Sequence, residues 1–123
     1  MTYITPLNSP PAEPKIAAAL DGIKTSLGMV PNLYATVAKS PAAFDAMLQI
    51  TQALAGGRLT AAEREVIALA TSQANDCQYC VSAHTVIGKG AGLTTEQTYQ
   101  ARAGAGRDAR SGAIAAFAKA LIE

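Results

Sequence analysis

Three features of the sequence predict an all-α fold for this chain of 123 residues. Apolar side chains recur at steps of three and four residues, as they do on the buried face of a helix. No segment shows the sustained two-residue alternation that is typical of a strand. Residues that begin and end helices separate the apolar segments. We therefore expect an extended, proline-rich arm over residues 1–13 and a single helical domain over residues 14–123.

The arm contains Pro6, Pro10 and Pro11, and Asn8 and Ser9 add residues that favour turns. Proline fixes its own backbone and lacks an N–H group, so this segment is expected to be extended. Two alternatives are open for it. It is either a disordered tail or a segment that docks on a neighbouring subunit.

Three helices are predicted next. The first begins at Pro14, which suits a first helical turn, and ends at Gly28, which suits a helix stop. A short helical segment follows Pro31. The third begins with a capping residue and a first-turn proline, Ser40-Pro41, and ends before a pair of glycines. Their apolar stripes comprise Ile16, Leu20, Ile23 and Leu27; Leu33 and Val37; and Phe44, Met47, Leu48 and Leu54.

Two further helices are predicted around the cysteines. Thr60-Ala61-Ala62-Glu63 matches a capping box, in which the hydroxyl and the carboxylate each accept a backbone N–H of the other residue. The helix that it begins is expected to run to about Asn75. Asp76 is then placed to cap a helix that has Cys77 in its first turn and ends within the glycine-containing segment 88–92.

The last two predicted helices lie beyond that segment. Thr94-Thr95-Glu96-Gln97 is a second candidate capping box, and its helix is expected to end at about Ala101. A final apolar stripe, ending at Leu121, marks a helix that reaches the C-terminus. Because no cap or stop follows it, we expect either a missing continuation or an end buried against another chain, and both favour an oligomer.

The composition argues against several classes of function. The formal net charge is +1 and the basic residues form no cluster, so the electrostatic signature of a nucleic-acid or membrane-surface protein is lacking. The apolar stretches are too short to span a bilayer, and the N-terminus lacks the features of a signal peptide. We therefore expect a cytoplasmic protein with no nucleic-acid or membrane partner. Alanine supplies much of the apolar share and Trp is absent, so each apolar residue buries little surface on average. We expect contacts with partner subunits to supply further buried surface.

The residues that carry chemistry fall within one short segment. Cys77 and Cys80 are the only two cysteines, and His84 is the only histidine. On a helix with about 100° per residue, these three side chains share one arc, and Cys80 and His84 are one turn apart. An imidazole at that spacing can take or return a thiol proton, and the helix N-terminus raises the thiolate fraction. The cluster predicts a redox site.

Three alternatives to a redox site are open at this point. A zinc site at Cys77, Cys80 and His84 needs a fourth ligand from an Asp or a Glu. A purely structural disulfide across so short a loop stabilises little. The third alternative is a pair of inert core cysteines beside a hydrogen-bonded histidine. We expect no metal and no cofactor.

A carboxylate that orients the imidazole would complete a proton relay. Glu63 belongs to the capping box, whereas Glu65 lies at the edge of the apolar arc of the same helix; a solvated or ion-paired surface carboxylate is the alternative for it. Together, Glu65, Cys77-x-Tyr-Cys80 and Ala83-His84 resemble the AhpD-like, carboxymuconolactone decarboxylase superfamily, in the branch that carries a cysteine pair. Pro-Asn-Leu-Tyr at residues 31–34 is also similar.

The resemblance implies a fold, an activity and a role for each site residue. The fold is an AhpD-like helical bundle, of which this chain would be short at the C-terminus. Cys80 would attack a peroxide, Cys77 would resolve the sulfenic acid as a disulfide, and His84 and Glu65 would relay protons. The reductant would be a dithiol or a lipoylated protein. Relatives commonly form trimers or hexamers, so we expect a homo-oligomer.

Two points qualify the roles of the cysteines. Characterised AhpD enzymes have a histidine where this chain has Tyr79, a difference that bears on turnover rate and on the reductant. The helix dipole favours Cys77 as the more acidic thiol, whereas the nearby His84 favours Cys80. We assign the first attack to Cys80.

The predicted function is that of a thiol-dependent, alkylhydroperoxidase-like peroxidase acting on hydrogen peroxide or organic hydroperoxides. One alternative is a general thiol–disulfide oxidoreductase or redox sensor, which would use the same cysteines without peroxide. A second is a noncatalytic helical assembly or binding module on the same scaffold, since a fold does not determine its function.

Overall fold

The structure is a computed structural model that describes residues 3–9, 11 and 13–123. These residues form helices and connecting segments, with no strand among them, and the all-α prediction is confirmed. Positions 1, 2, 10 and 12 of the predicted arm lie outside the described residues. The chain divides into two compact units, Met1–Leu54 and Ala55–Glu123. In the part of the chain described, no helix combines the length and the apolar character needed to cross a membrane.

The first unit holds three helices: α1 (Pro14–Leu27), α2 (Asn32–Val37) and all but the last residue of α3 (Pro41–Ala55). Pro14 occupies the first helical position of α1. Gly28 ends that helix with a φ of 79°, in the left-handed region that glycine adopts without steric cost. Pro31 is the cap residue of α2. The predicted bounds of these three helices are confirmed.

The arm lies against the core of the first unit. That core is formed by buried apolar side chains, namely Ile16, Leu20, Ala38 and Phe44. Leu7 packs against this cluster, and its backbone N–H donates to the carbonyl of Ala35 at 3.1 Å. Through Leu7, the described part of the arm thus contacts the core of its own unit.

The second unit holds four helices: α4 (Ala61–Ala74), α5 (Gln78–Gly90), α6 (Thr95–Arg102) and α7 (Ala109–Ala120). Both predicted capping boxes are confirmed, one between Thr60 and Glu63 and the other between Thr94 and Gln97. A third box, between Asp108 and Ser111, begins α7. The sequence analysis missed it because Glu or Gln, rather than Ser, is the usual second member.

Helix α4 is central in the second unit and packs against α5, α6 and α7. The buried core residues of this unit are Val66, Leu69, Ala70, Leu93, Ala101, Ala115 and Ala118. Each alanine buries little surface, but its small size lets helix backbones approach closely. The alanines of α6 and α7 thus let these two helices pack closely on α4.

Two predicted helix ends are wrong. Asp76 does not cap α5; its φ is 50°, and Cys77 takes the cap position. A connection of three residues between α4 and α5 turns the chain sharply, and Asp tolerates the left-handed conformation better than most residues. Helix α7 ends at Ala120 rather than at the C-terminus, and the N–H of Leu121 donates to the carbonyl of Phe117 at 3.1 Å.

Candidate active site

The four predicted site residues lie on two neighbouring helices of the second unit. Glu65 is in the second turn of α4, while Cys77 and Cys80 are at the start of α5 and His84 is one turn further along it. The structure joins them in two pairs. Cys77 is bonded to Cys80, and Glu65 contacts His84.

The cysteine pair forms a disulfide at the N-terminus of α5, with Cα atoms 5.2 Å apart. Cys77 is the cap residue, and its Sγ accepts a hydrogen bond from the backbone N–H of Cys80 at 3.3 Å. The N–H groups of a helix start carry partial positive charge, which stabilises negative charge on a nearby sulfur. Both cysteines are partly exposed and bonded to each other, so they are not a pair of buried core thiols.

The shared arc predicted for α5 agrees with its burial. Val81 and Gly88, on the arc of the cysteines and the histidine, are buried. Ser82 and Val86, which lie on the other side of the helix at about 100° per residue, are exposed, and Val86 is 70% exposed. The arc of Cys80 and His84 therefore faces the rest of the second unit, where α4 supplies Glu65.

His84 is held by Glu65. Its Nδ1 lies 2.8 Å from Oε2 of Glu65, a contact between helices that the sequence could not establish. An ionised carboxylate only accepts hydrogen bonds, so Nδ1 carries the proton and Nε2 is the acceptor nitrogen of the neutral ring. The Glu65 side chain is 16% exposed and that of His84 is 34% exposed. Glu65 is therefore not a solvated surface carboxylate.

This arrangement supplies the parts of a proton relay. Side chains one turn apart on a helix have Cβ atoms about 5–6 Å apart, which places the ring of His84 within reach of the Cys80 sulfur. Nε2 can take a proton from that sulfur, and Glu65 stabilises the imidazolium that results. The same contact fixes the orientation of the ring.

Glu63 and Glu65 have separate partners, although they are two residues apart. Glu63 accepts the backbone N–H of Thr60 at 2.9 Å and Nε of Arg110 at 2.5 Å. The pKa of Glu63 lies below its ordinary value. The hydrogen bond from Arg110 is the larger cause, and the hydrogen bond from the Thr60 backbone is the next. The prediction that Glu63 serves the capping box is confirmed, and Glu65 is the carboxylate that meets the histidine.

Gly88 is a component of the site that sequence reasoning missed. Helical spacing places Gly88 on the arc of the cysteines and His84, but the only role predicted for it was to end α5. In the structure it is buried inside that helix, one turn beyond His84 and across from Glu65. A glycine inside a helix costs about 1 kcal/mol of stability relative to alanine, so a glycine kept there indicates a packing or functional reason. The position of Gly88 on the same arc as His84 was the signal that could have shown this role.

The residues of the zinc alternative have other partners. Both cysteine sulfurs are in the disulfide, and Nδ1 of His84 is bound to Glu65. Over the ranges that the structure describes, no group of three or more His, Cys, Asp and Glu side chains is arranged to hold a metal ion.

A search of the curated proteins and a search of the solved structures return no match to this chain. A comparison with known families matches residues 41–123 to the carboxymuconolactone decarboxylase family. The matched region covers more than half of the chain and includes helices α3 to α7 with all four site residues. The resemblance found in the sequence is confirmed, and the chain belongs to the carboxymuconolactone decarboxylase family.

Proposed function

We propose that this protein is a thiol-dependent peroxidase that reduces hydrogen peroxide or organic hydroperoxides. The observation that carries the proposal is a Cys77–Cys80 disulfide at a helix N-terminus, one turn from a histidine that is bound to Glu65. A pair of cysteines that can be oxidised and reduced favours redox chemistry over the decarboxylation for which the family is named.

In the first step, the thiolate of Cys80 attacks one oxygen of the peroxide. The O–O bond breaks and an S–O bond forms, so that the sulfur loses two electrons and becomes a sulfenic acid. The other oxygen takes a proton and leaves as water or an alcohol. His84 removes the thiol proton and returns it to the leaving oxygen, while Glu65 keeps the ring oriented.

In the second step, Cys77 resolves the sulfenic acid. Its sulfur attacks the sulfur of Cys80, an S–S bond forms and the S–O bond breaks, and the hydroxyl takes the proton of the Cys77 thiol and leaves as water. In the resulting disulfide the Cα atoms lie 5.2 Å apart, within the usual range for such a bond. The N–H of Cys80 that bonds Sγ of Cys77 also stabilises the attacking thiolate.

In the third step, a dithiol restores the enzyme. Its thiolate attacks the Cys77–Cys80 disulfide, and a second exchange releases the reductant as its own disulfide. The resemblance favours a small dithiol or a lipoylated protein in this role. Tyr79 lies between the two cysteines in the sequence and is 49% exposed.

Consumption of hydrogen peroxide with dihydrolipoamide as the reductant tests the proposal. We expect the protein to accelerate consumption above the protein-free rate, and Cys80→Ser and Cys77→Ser each to abolish that acceleration. Ser82→Ala is the matched control, because Ser82 is an exposed residue of the same helix and its hydroxyl donates to the Gln78 carbonyl at 2.9 Å. Acceleration that survives both cysteine substitutions would contradict the proposal.

The second candidate function is that of a general thiol–disulfide oxidoreductase or redox sensor. The hydrogen bond from the Cys80 N–H to Sγ of Cys77 favours it, because a stabilised thiolate at the first cysteine of a CxxC motif is typical of such proteins. It predicts a defined disulfide reduction potential in glutathione buffers together with a peroxide reaction no faster than that of free cysteine. A fast peroxide reaction excludes it as the sole function.

A further inference from the structure

Gly88 lies inside α5, one turn beyond His84, and is buried. No turn or positive φ requires a glycine there, since α5 continues to Gly90. We propose that Gly88 is a positioning residue: its lack of a side chain lets α5 lie close enough to α4 for Glu65 to hold His84. The inference that Gly88 matters for peroxide turnover rests on the function proposed above. The inference that Gly88 positions the His84 ring does not.

Three side chains fill the space in front of Gly88. A Cβ atom at this position would lie 3.2 Å from Cδ1 of Leu93, 3.6 Å from Cβ of Glu65 and 3.7 Å from Cδ1 of Leu69. Leu69 is 0% exposed and Leu93 is 6% exposed, so both are enclosed by packed neighbours. The backbone N–H of Leu93 also donates to the carbonyl of Gly88 at 2.9 Å. A single methyl group at position 88 requires only Leu93 to give way by a few tenths of an ångström, whereas Glu65 and Leu69 already lie at contact distance and leave no room for a larger side chain.

A larger side chain at position 88 would act on the contact between Glu65 and His84. The methyl groups of a valine extend about 1.5 Å beyond Cβ, into the volume that Glu65 and Leu69 now occupy. Relief of that overlap moves α5 away from α4. The hydrogen bond is 2.8 Å long, and such bonds weaken beyond about 3.2 Å, so a shift of a few tenths of an ångström is enough to loosen it.

Gly90 offers a matched control in the same helix. A Cβ atom at Gly90 would meet no atom within 4 Å. Alanine or valine changes the helix propensity in the same direction at positions 88 and 90. Only at position 88, however, does the new side chain enter the space between α4 and α5.

The single histidine makes the inference directly testable by NMR. Long-range proton–nitrogen spectra of nitrogen-15-labelled protein, recorded where the ring is neutral, report the two imidazole tautomers of His84. We expect the Nδ1–H form to predominate in the wild type. Glu65→Ala and Gly88→Val are expected to lower the ratio of the Nδ1–H to the Nε2–H form by roughly tenfold, and Gly88→Ala by less. Gly90→Ala and Gly90→Val should leave the ratio unchanged.

An unchanged tautomer ratio in a Gly88→Val protein that keeps its helical circular dichroism would overturn the inference. If that variant loses its helical signal, Gly88→Ser decides, because its side chain also extends beyond Cβ: a lowered ratio supports the inference, and a wild-type ratio overturns it. Peroxide consumption measured on the same samples separates this inference from the proposed function. A lowered ratio in Gly88→Val, beside a wild type that consumes no peroxide, supports the positioning role and contradicts the peroxidase.

Discussion

At the scale of single residues, the two cysteines differ in their surroundings. Sγ of Cys77 accepts the N–H of Cys80, whereas Cys80 is the cysteine that lies one turn before His84. The N–H stabilises a thiolate at Cys77, and a stabilised thiolate is a better leaving group when the reductant attacks Cys80. The imidazole can remove the proton of Cys80. This difference supports the proposed division, in which Cys80 attacks the peroxide and Cys77 resolves.

Loss of the relay should lower the rate of the peroxide reaction. We expect His84→Gln to lower kcat/KM for hydrogen peroxide by roughly 10²-fold, because a positioned proton donor and acceptor is removed. Glu65→Gln keeps the shape but not the charge that orients the ring, so a loss of roughly tenfold is expected. Steady-state kinetics with dihydrolipoamide measure both.

Glu63→Gln is the control for these two variants. Glu63 lies on the same helix, but its partners are Thr60 and Arg110 rather than the histidine. The kcat/KM of Glu63→Gln for hydrogen peroxide should equal that of the wild type. A His84→Gln protein as active as the wild type would show that the imidazole takes no part.

The sequence allowed the site residues to be named but not their contacts. Scarcity and helical spacing singled out Cys77, Cys80 and His84, and the capping box removed Glu63 from consideration in favour of Glu65. The contact between Glu65 and His84 depends on how α5 packs on α4, which no local pattern encodes. Gly88 was missed for the same reason, since a glycine near a helix end is usually a stop signal.

At the scale of elements, the connection between α4 and α5 orients the cysteine pair. The N–H of Cys77 donates to the carbonyl of Ser72 at 3.0 Å, and Asp76 takes a φ of 50°. Asp is a preferred cap residue, but a cap needs an extended backbone, which the tight reversal denies to Asp76. The sequence predicted that α4 and α5 exist. The residue at which α5 begins depended instead on how the chain turns between two packed helices.

The caps of the second unit should contribute measurably to its stability. Thr94 accepts the backbone N–H of Gln97 at 3.2 Å at the start of α6. We expect Thr94→Ala to lower the free energy of unfolding by about 1 kcal/mol, because a backbone donor loses its partner. Thr95→Ala, at the adjacent exposed position, should change it by less than about 0.5 kcal/mol. Urea denaturation of the two variants compares them, and equal losses would argue against the cap.

The ion pair between α4 and α7 should make stability depend on pH. The hydrogen bond from Arg110 and then that from Thr60 lower the pKa of Glu63 in the folded protein. The group therefore contributes stability that is fully present above its ordinary pKa and is lost as the pH falls through the folded value. Between about pH 6 and pH 3, the wild type should lose more stability than Glu63→Gln does. The free energy of unfolding is measured by urea denaturation at several pH values in that range. If it falls equally steeply with pH in the wild type and in Glu63→Gln, the prediction is wrong.

At the scale of the whole molecule, the proposed chemistry lies entirely in the second unit. Glu65, both cysteines and His84 fall within residues 55–123, and α4 is the helix to which the others of that unit attach. Helical periodicity was enough to predict the all-α class. The division into two compact units was not predicted, because it depends on contacts between residues far apart in the sequence, which local patterns do not report.

We expect the protein to be a homo-oligomer, a trimer or a hexamer. Several large apolar side chains are exposed on a single chain, including Phe117 at 67% and Leu121 at 69%, and a partner subunit would remove such surface from water. Light scattering coupled to size exclusion measures the mass, and an oligomer should also have a Tm that rises with protein concentration. A monomer mass at every concentration would contradict the expectation.

The most direct test of the central claim is a single turnover. Fully reduced protein is mixed rapidly with hydrogen peroxide, quenched by alkylation at successive times and analysed by mass spectrometry. For a thiol-dependent peroxidase, the Cys77–Cys80 disulfide should form much faster than free cysteine is oxidised, and Cys77→Ser should stop at a sulfenic acid on Cys80. Disulfide formation no faster than the oxidation of free cysteine would contradict that claim.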